Sequence, residues 1–172
     1  MPRRSLYHSL THLSVTEKYV LALRSLNAAL ALEPENGTVH EQVVRLRHAL
    51  NSEKLATLPA KTAEVLRAEF TAVTPTTDLK TFNADFRARH AGSAAHIISA
   101  IKTARFLAET DDAAGDADVH AKDLLTVLDI PDVQHDQAEE CLGLLRQWRC
   151  VDDAEAFKGK AHEKWPEVTS FA

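Results

Sequence analysis

Glycine is scarce in this 172-residue chain and never clustered. The five glycines stand at 37, 92, 115, 143 and 159, and the closest two are 16 residues apart. A loop that wraps phosphates needs glycines within a few residues of one another, because only backbone without Cβ approaches the oxygens closely. The spacing therefore excludes the dinucleotide fingerprint, the P-loop and the glycine-rich loop by which common acetyltransferases hold acetyl-CoA. Cysteine is nearly absent too. Cys141 and Cys150 are nine apart, so on one continuous helix they would face opposite sides and could not bridge. They read as reduced apolar fillers of a cytoplasmic protein, with the nucleus as a second compartment. No apolar run approaches a membrane span, and the opening "MPRR" has no signal-peptide core behind it. Aromatic residues make up only 6%, so Leu, Ala, Val and Ile must fill the core.

Catalytic and metal-binding patterns are missing as well. His8 and His12 are four apart, the spacing of two zinc ligands on a helix face, but no Glu follows His8 and no third ligand lies nearby. His162 and Glu163 form a local acid–base pair whose side chains diverge by about 100° on a helix. Nothing like GxSxG marks a nucleophile. The sequence accordingly assigns no catalytic, cofactor or metal-ligating residue, and no cofactor is expected.

What is present is helix. Hydrophobic residues make up 45% and charged residues 26% of the chain, an ordinary composition for a globular fold with a real core. Apolar residues recur at helical spacing over Lys18–Leu32 (Tyr19, Ala22, Leu23, Leu26, Ala29, Leu30), and Pro34 ends that segment. Asn36 or Thr38 can cap the next, which runs to about Leu50 with Val39, Val43, Leu46 and Leu50 inward. Further helices follow from Pro59, over 78–90 with Thr77 or Asp78 as cap, and over 94–109, where Gly92 suits a left-handed C-terminal position and Ser93 an N-cap. The acidic stretch "AETDDAAGDAD" reads as an exposed loop. Beyond it come helices at about 118–129, 135–150 and 153–165, and a weaker one stands ahead at Ser5–Leu13. No segment alternates with period two, so no sheet is expected.

Charge divides unevenly. Residues 1–109 carry 14 basic and 10 acidic side chains, and residues 110–172 carry 6 and 15, which account for all 20 and 25. The acidic third repels phosphates and argues against direct nucleic-acid contact. It suits a basic protein partner. Trp148 and Trp165, the only tryptophans, lie in the same third. With Asp152, Asp153 and Glu139 they are the candidate protein-binding residues.

Ala22, Leu26, Ala29 and Pro34 fall at the spacing of the second helix of a tetratricopeptide repeat. Leu6, Ser9, Leu10 and Leu13 fit its first helix poorly, and the pattern does not recur after Pro34. The fold expected is all-α: a degenerate tetratricopeptide-like hairpin over 1–50, then a C-terminal helical docking bundle over 51–172 packed on it as one unit, eight or nine helices in all. Terminal repeats of a solenoid are expected to be atypical.

The segments "YVLALRSLNAALALEPENGTVHEQVVRLR", "EFTAVTPTTDLKTFNADFRARHAGSAAHIISAI", "LLRQW" and "AHEKWPEVTSFA" together resemble the C-terminal region of the large auxiliary subunit of the N-terminal acetyltransferase A complex, from about residue 5 to the end. The resemblance implies a fragment of a much longer, non-catalytic scaffold. In that family a helical solenoid wraps a catalytic acetyltransferase subunit that acts on nascent chains, so the ribosome is an indirect partner. The resemblance also implies a docking place for Huntingtin-interacting protein K, through its ubiquitin-associated-like domain. The alternative is a purely structural cap that seals the end of the solenoid. No membrane association is expected.

Overall fold

The computed structural model describes residues 15–73, 78–110 and 117–172. Among them the chain is helical throughout, with no strand. The expected helix at Ser5–Leu13, the Thr77 cap, the histidines His8 and His12 and most of the acidic loop lie outside the described residues. The fold is all-α, as the absence of period-two patterning requires. The chain divides into two compact units, residues 1–77 and 78–172. Helix α4 (Ala60–Val73) packs on the first helix.

In the first unit, α1 (Val15–Leu32) and α2 (Gly37–Ala49) form a hairpin. Its turn is closed by Asn36, whose Oδ1 accepts the Val39 N–H at 3.1 Å. That caps one of the orphan amides at the start of α2. Asn51 does the same for the short α3 (Ser52–Ala56), accepting from the Lys54 N–H at 2.9 Å. This helix escapes a periodicity reading because five residues are too few to show a period. Then α4 runs beside α1 in the same direction. Glu17, Val20, Leu21 and Arg24 of α1 flank Lys61, Thr62 and Val65 of α4, and further along Arg24 and Asn27 both donate to Glu69, at 3.1 and 2.8 Å. Leu23, Leu50, Leu55, Leu66 and Phe70 form the core between these helices. Two like-oriented helices joined through a returning one, with α1 packed on both α2 and α4, have the layout of a helical repeat.

The second unit holds α5 (Leu79–Arg89), α6 (Ala94–Thr110), α7 (Ala117–Thr126), α8 (His135–Gln147) and α9 (Val151–Lys164). A 3-10 turn, Val127–Asp129, extends α7, and another, Thr169–Phe171, closes the chain. Asp78 caps α5, accepting from the Lys80 N–H at 3.0 Å. Gly92 does not take the left-handed conformation expected of it, since no described glycine has positive φ. The Ser93 N–H bonds back to the His90 carbonyl instead, so the α5–α6 turn closes without a left-handed residue. Ser93 does stand where α6 begins, its carbonyl taking the Ile97 N–H, but its hydroxyl lies 2.7 Å from His96 Nδ1. The first amide of α6 is satisfied from afar, by Asp132 Oδ1 at 2.8 Å from Ala94 N.

The core of this unit draws on α6, α7, α8, α9 and both 3-10 turns. Ile97, Ile98, Ile101, Leu124, Val127, Ala138, Cys141, Leu142, Leu145, Phe157 and Phe171 are all buried in one cluster. Polar ties fix the helices around it. Asn83 Nδ2 reaches the Ala100 carbonyl at 2.9 Å, Arg87 pairs with Asp123 at 2.6 Å, and Lys102 with Glu140 at 3.3 Å. Half-exposed pairs of this kind add about 0–1 kcal/mol each. The buried apolar surface carries the fold.

Candidate protein-interaction surface

The helix expected over 135–150 stops at Gln147, and the chain turns there into α9. The stop is a left-handed cap. Arg149 has φ 62°, and the Cys150 N–H reaches back to the Leu145 carbonyl at 3.0 Å. Glycine normally takes this position, because a side chain there costs roughly 1–2 kcal/mol. The resulting elbow places Trp148, Cys150, Val151, Asp152 and Asp153 at one end of the second unit.

Trp148 is half-buried there, packed on the core. The guanidinium of Arg105, on α6, lies over its ring at 5.3 Å from the centroid, and Arg105 Nε also donates to Glu109 at 2.8 Å. Asp152 and Asp153 occupy the first turn of α9. Carboxylates there complement the helix dipole for about 0.3–1 kcal/mol each. Val151 beside them is 69% exposed.

The other two candidates lie elsewhere. Trp165 ends α9, half-buried, with its ring 6.1 Å from that of Phe171 and the Lys164 ammonium 5.1 Å above it. Glu139, near the start of α8, accepts a hydrogen bond from the Ser170 hydroxyl. Lys164 Nζ also donates to the Leu128 carbonyl at 3.0 Å. Trp165 and Glu139 therefore fasten the C-terminal turn to the bundle. The structure brings Trp148, Asp152 and Asp153 together and separates Trp165 and Glu139 from them.

Three residues that matter at the elbow went unnoticed in the sequence. Arg105 lies 43 positions before Trp148 in the chain, and no local pattern connects them. Arg149 is concealed because nothing but the backbone angle reveals a left-handed arginine. Val151 could have been found, being a large apolar residue directly ahead of an acidic helix start.

The first unit has an apolar surface of its own. Between α1 and α4 lies a groove of about 430 Å3 lined by Glu17, Val20, Leu21, Arg24, Lys61, Thr62 and Val65. Leu21 is 46% exposed and Leu32, at the end of α1, 84%. They are eleven positions apart and lie on one side of the helix. Helix α1 is thus apolar on two sides, the pattern of a helix meant to be covered twice.

Little in the described residues invites covalent chemistry. Burial, with the nearby Glu140 charge second, pushes the Cys141 thiol up to about 12. It is a core filler rather than a nucleophile. His90 and His96 stack at 4.4 Å beside Phe86, an arrangement of ring faces and not of converging nitrogens. His162 and Glu163 are both exposed. Among the described residues, no three His, Cys, Asp or Glu side chains are grouped to hold a metal ion, and no helix is long and apolar enough to cross a membrane.

Comparison with known proteins bears on the identity. The chain is 32% identical over 90 residues to N-alpha-acetyltransferase 16, NatA auxiliary subunit, of Homo sapiens, and 30% identical over 90 residues to its counterpart in Mus musculus. This chain resembles part of a NatA auxiliary subunit. The match covers 52% of the chain and 10% of each relative, so the chain spans a small fraction of the length of the proteins it matches. It bears out the resemblance read from the sequence, over a shorter stretch than the reading from residue 5 to the end. Both relatives are described as auxiliary subunits. No family model matches the chain, and no solved structure matches it.

Proposed function

We propose that this chain is a non-catalytic scaffold and docking segment of a ribosome-associated N-terminal acetyltransferase A complex in the cytoplasm. It corresponds to the C-terminal region of the auxiliary subunit and carries a docking place for Huntingtin-interacting protein K. The observation that carries the reading is the 90-residue similarity to two NatA auxiliary subunits. The all-helical architecture and the repeat-like layout of α1, α2 and α4 agree with it. The catalytic acetyltransferase subunit is then met through the longer scaffold. The binding site for the regulator is assigned to the second unit, where the acidic charge is concentrated.

Two measurements test this. Calorimetry of the 172-residue chain against the ubiquitin-associated-like domain of Huntingtin-interacting protein K should give a saturable complex. Incubation with acetyl-CoA and a peptide beginning Ser or Ala should give no turnover until the catalytic subunit is supplied. A well-folded chain that fails to bind the regulator contradicts the docking assignment. It would favour a second reading, a structural cap whose role is to seal a solenoid, for which the exposed Leu21 and Leu32 side of α1 speaks.

A further inference from the structure

We propose that Asn36 is a spontaneous deamidation site latched by its own helix cap, converted when the α1–α2 hairpin opens. The chain has four asparagines, Asn27, Asn36, Asn51 and Asn83, and Asn36 alone is followed by glycine. In an Asn–Gly pair no Cβ shields the following amide nitrogen, and the glycine backbone turns freely. The Gly37 nitrogen, deprotonated by hydroxide, attacks the side-chain carbon Cγ of Asn36. The bond from Gly37 N to Cγ forms, the bond from Cγ to Nδ2 breaks, and ammonia leaves. Water then opens the cyclic imide at either carbonyl, giving aspartate or isoaspartate. The only reagent consumed is water.

The fold restrains this chemistry. Gly37 begins α2, so its nitrogen is set at the first helical position. Both ends of the Asn36 carboxamide are engaged. Its Oδ1 accepts the Val39 N–H at 3.1 Å, and its Nδ2 donates to Glu33 Oε2 at 2.6 Å. The Asn36 carbonyl takes the His40 N–H at 3.0 Å, the first bond of the helix. Attack needs the face of the carboxamide turned toward the Gly37 nitrogen, because an intramolecular reaction is fast only when the reacting atoms are aligned. The two side-chain bonds hold it elsewhere. Conversion therefore follows the population of the locally opened hairpin.

The product changes the turn. Aspartate can keep the bond from Val39 and suits the dipole of α2. It loses the donor to Glu33, however, and sets two carboxylates where a 2.6 Å hydrogen bond stood, so they repel. Isoaspartate adds a side-chain carbon to the backbone and destroys the cap geometry. Asn51 is an internal comparison. It caps α3 in the same way, accepting the Lys54 N–H at 2.9 Å, but Ser52 follows it.

The test holds the 172-residue chain in mildly alkaline buffer, with and without urea, and follows each asparagine by peptide mass spectrometry. Electron-transfer fragmentation separates isoaspartate from aspartate. In urea we expect Asn36 to convert well ahead of Asn51, and Gly37→Ala to remove that lead. Without urea Asn36 should convert far more slowly. Glu33→Ala releases one side of the latch and should raise the rate without urea about fivefold, the factor that one such hydrogen bond contributes to a local equilibrium. It should leave the rate in urea unchanged. Conversion of Asn36 no faster than that of Asn51 in urea would overturn the site. Equal rates with and without urea, or no acceleration in Glu33→Ala, would overturn the latch. None of these outcomes touches the scaffold reading, which is tested with the regulator and the catalytic subunit.

Discussion

The guanidinium of Arg105 sits 5.3 Å above the centre of the Trp148 ring. The contact ties α6 to the last turn of α8. A partly desolvated cation–π pair contributes about 0.5–2 kcal/mol. Arg105→Met keeps much of the aliphatic stem and removes the cation. We expect a loss of about 1 kcal/mol in denaturant unfolding, together with a change in Trp148 fluorescence that Arg105→Lys partly reverses. An unchanged emission spectrum in Arg105→Met would show that the two groups do not interact in solution.

Arg149 makes the opposite prediction. Its φ of 62° is one that glycine adopts freely. Arg149→Gly removes a penalty of roughly 1–2 kcal/mol and adds about 0.5–1 kcal/mol of unfolded-state entropy. The net expectation is a gain of about 0.5–1 kcal/mol, read as a rise in melting temperature. Arg149→Val should lower it, because a β-branched side chain fits this region worse.

Asp78 supplies a pH test. The Thr81 hydroxyl and then the Lys80 amide hold its carboxyl below the usual range. Its folded-state pKa is lower than its unfolded one, so its contribution is present above the unfolded pKa of about 4 and is lost as pH falls through the folded value. Asp78→Ala should therefore be less stable than the parent at neutral pH. The gap should narrow in strong acid, where the parent carboxyl is protonated too. A gap that is the same at both extremes would mean the cap acts through something other than its charge.

The cysteines separate by reactivity. Cys141 is buried, with its thiol pushed up to about 12, so the reactive thiolate is scarce near neutral pH. Cys150 is half-buried at the elbow. Iodoacetamide with peptide mass spectrometry should label Cys150 in the native chain and Cys141 only after unfolding. Labelling of Cys141 at a similar rate would show that the α8 core opens readily.

On α6 and α8 the helical period is legible because each is a long run of it. Ile97, Ile98, Ile101 and Leu107 on α6, and Ala138, Cys141, Leu142 and Leu145 on α8, are buried as their spacing requires. Stops written in a single residue were harder. Pro34 ended α1 visibly, but α8 ends at an arginine whose backbone angle leaves no trace in composition. Ala22, which shares the helical spacing of Leu23, is exposed, because α2 and α4 cover the side bearing Leu23. The site was legible only in part. Trp148, Asp152 and Asp153 lie close in sequence and stay close in space, whereas Trp165 and Glu139 share their charge and aromatic bias for a local reason, fastening the last turn.

The docking role proposed for this stretch is open to direct test. The most direct measurement is a pull-down on an auxiliary subunit with and without the stretch corresponding to this chain. Removing it should leave the catalytic subunit bound and release Huntingtin-interacting protein K. Retention of both partners, with the shortened scaffold soluble and folded, would contradict the account.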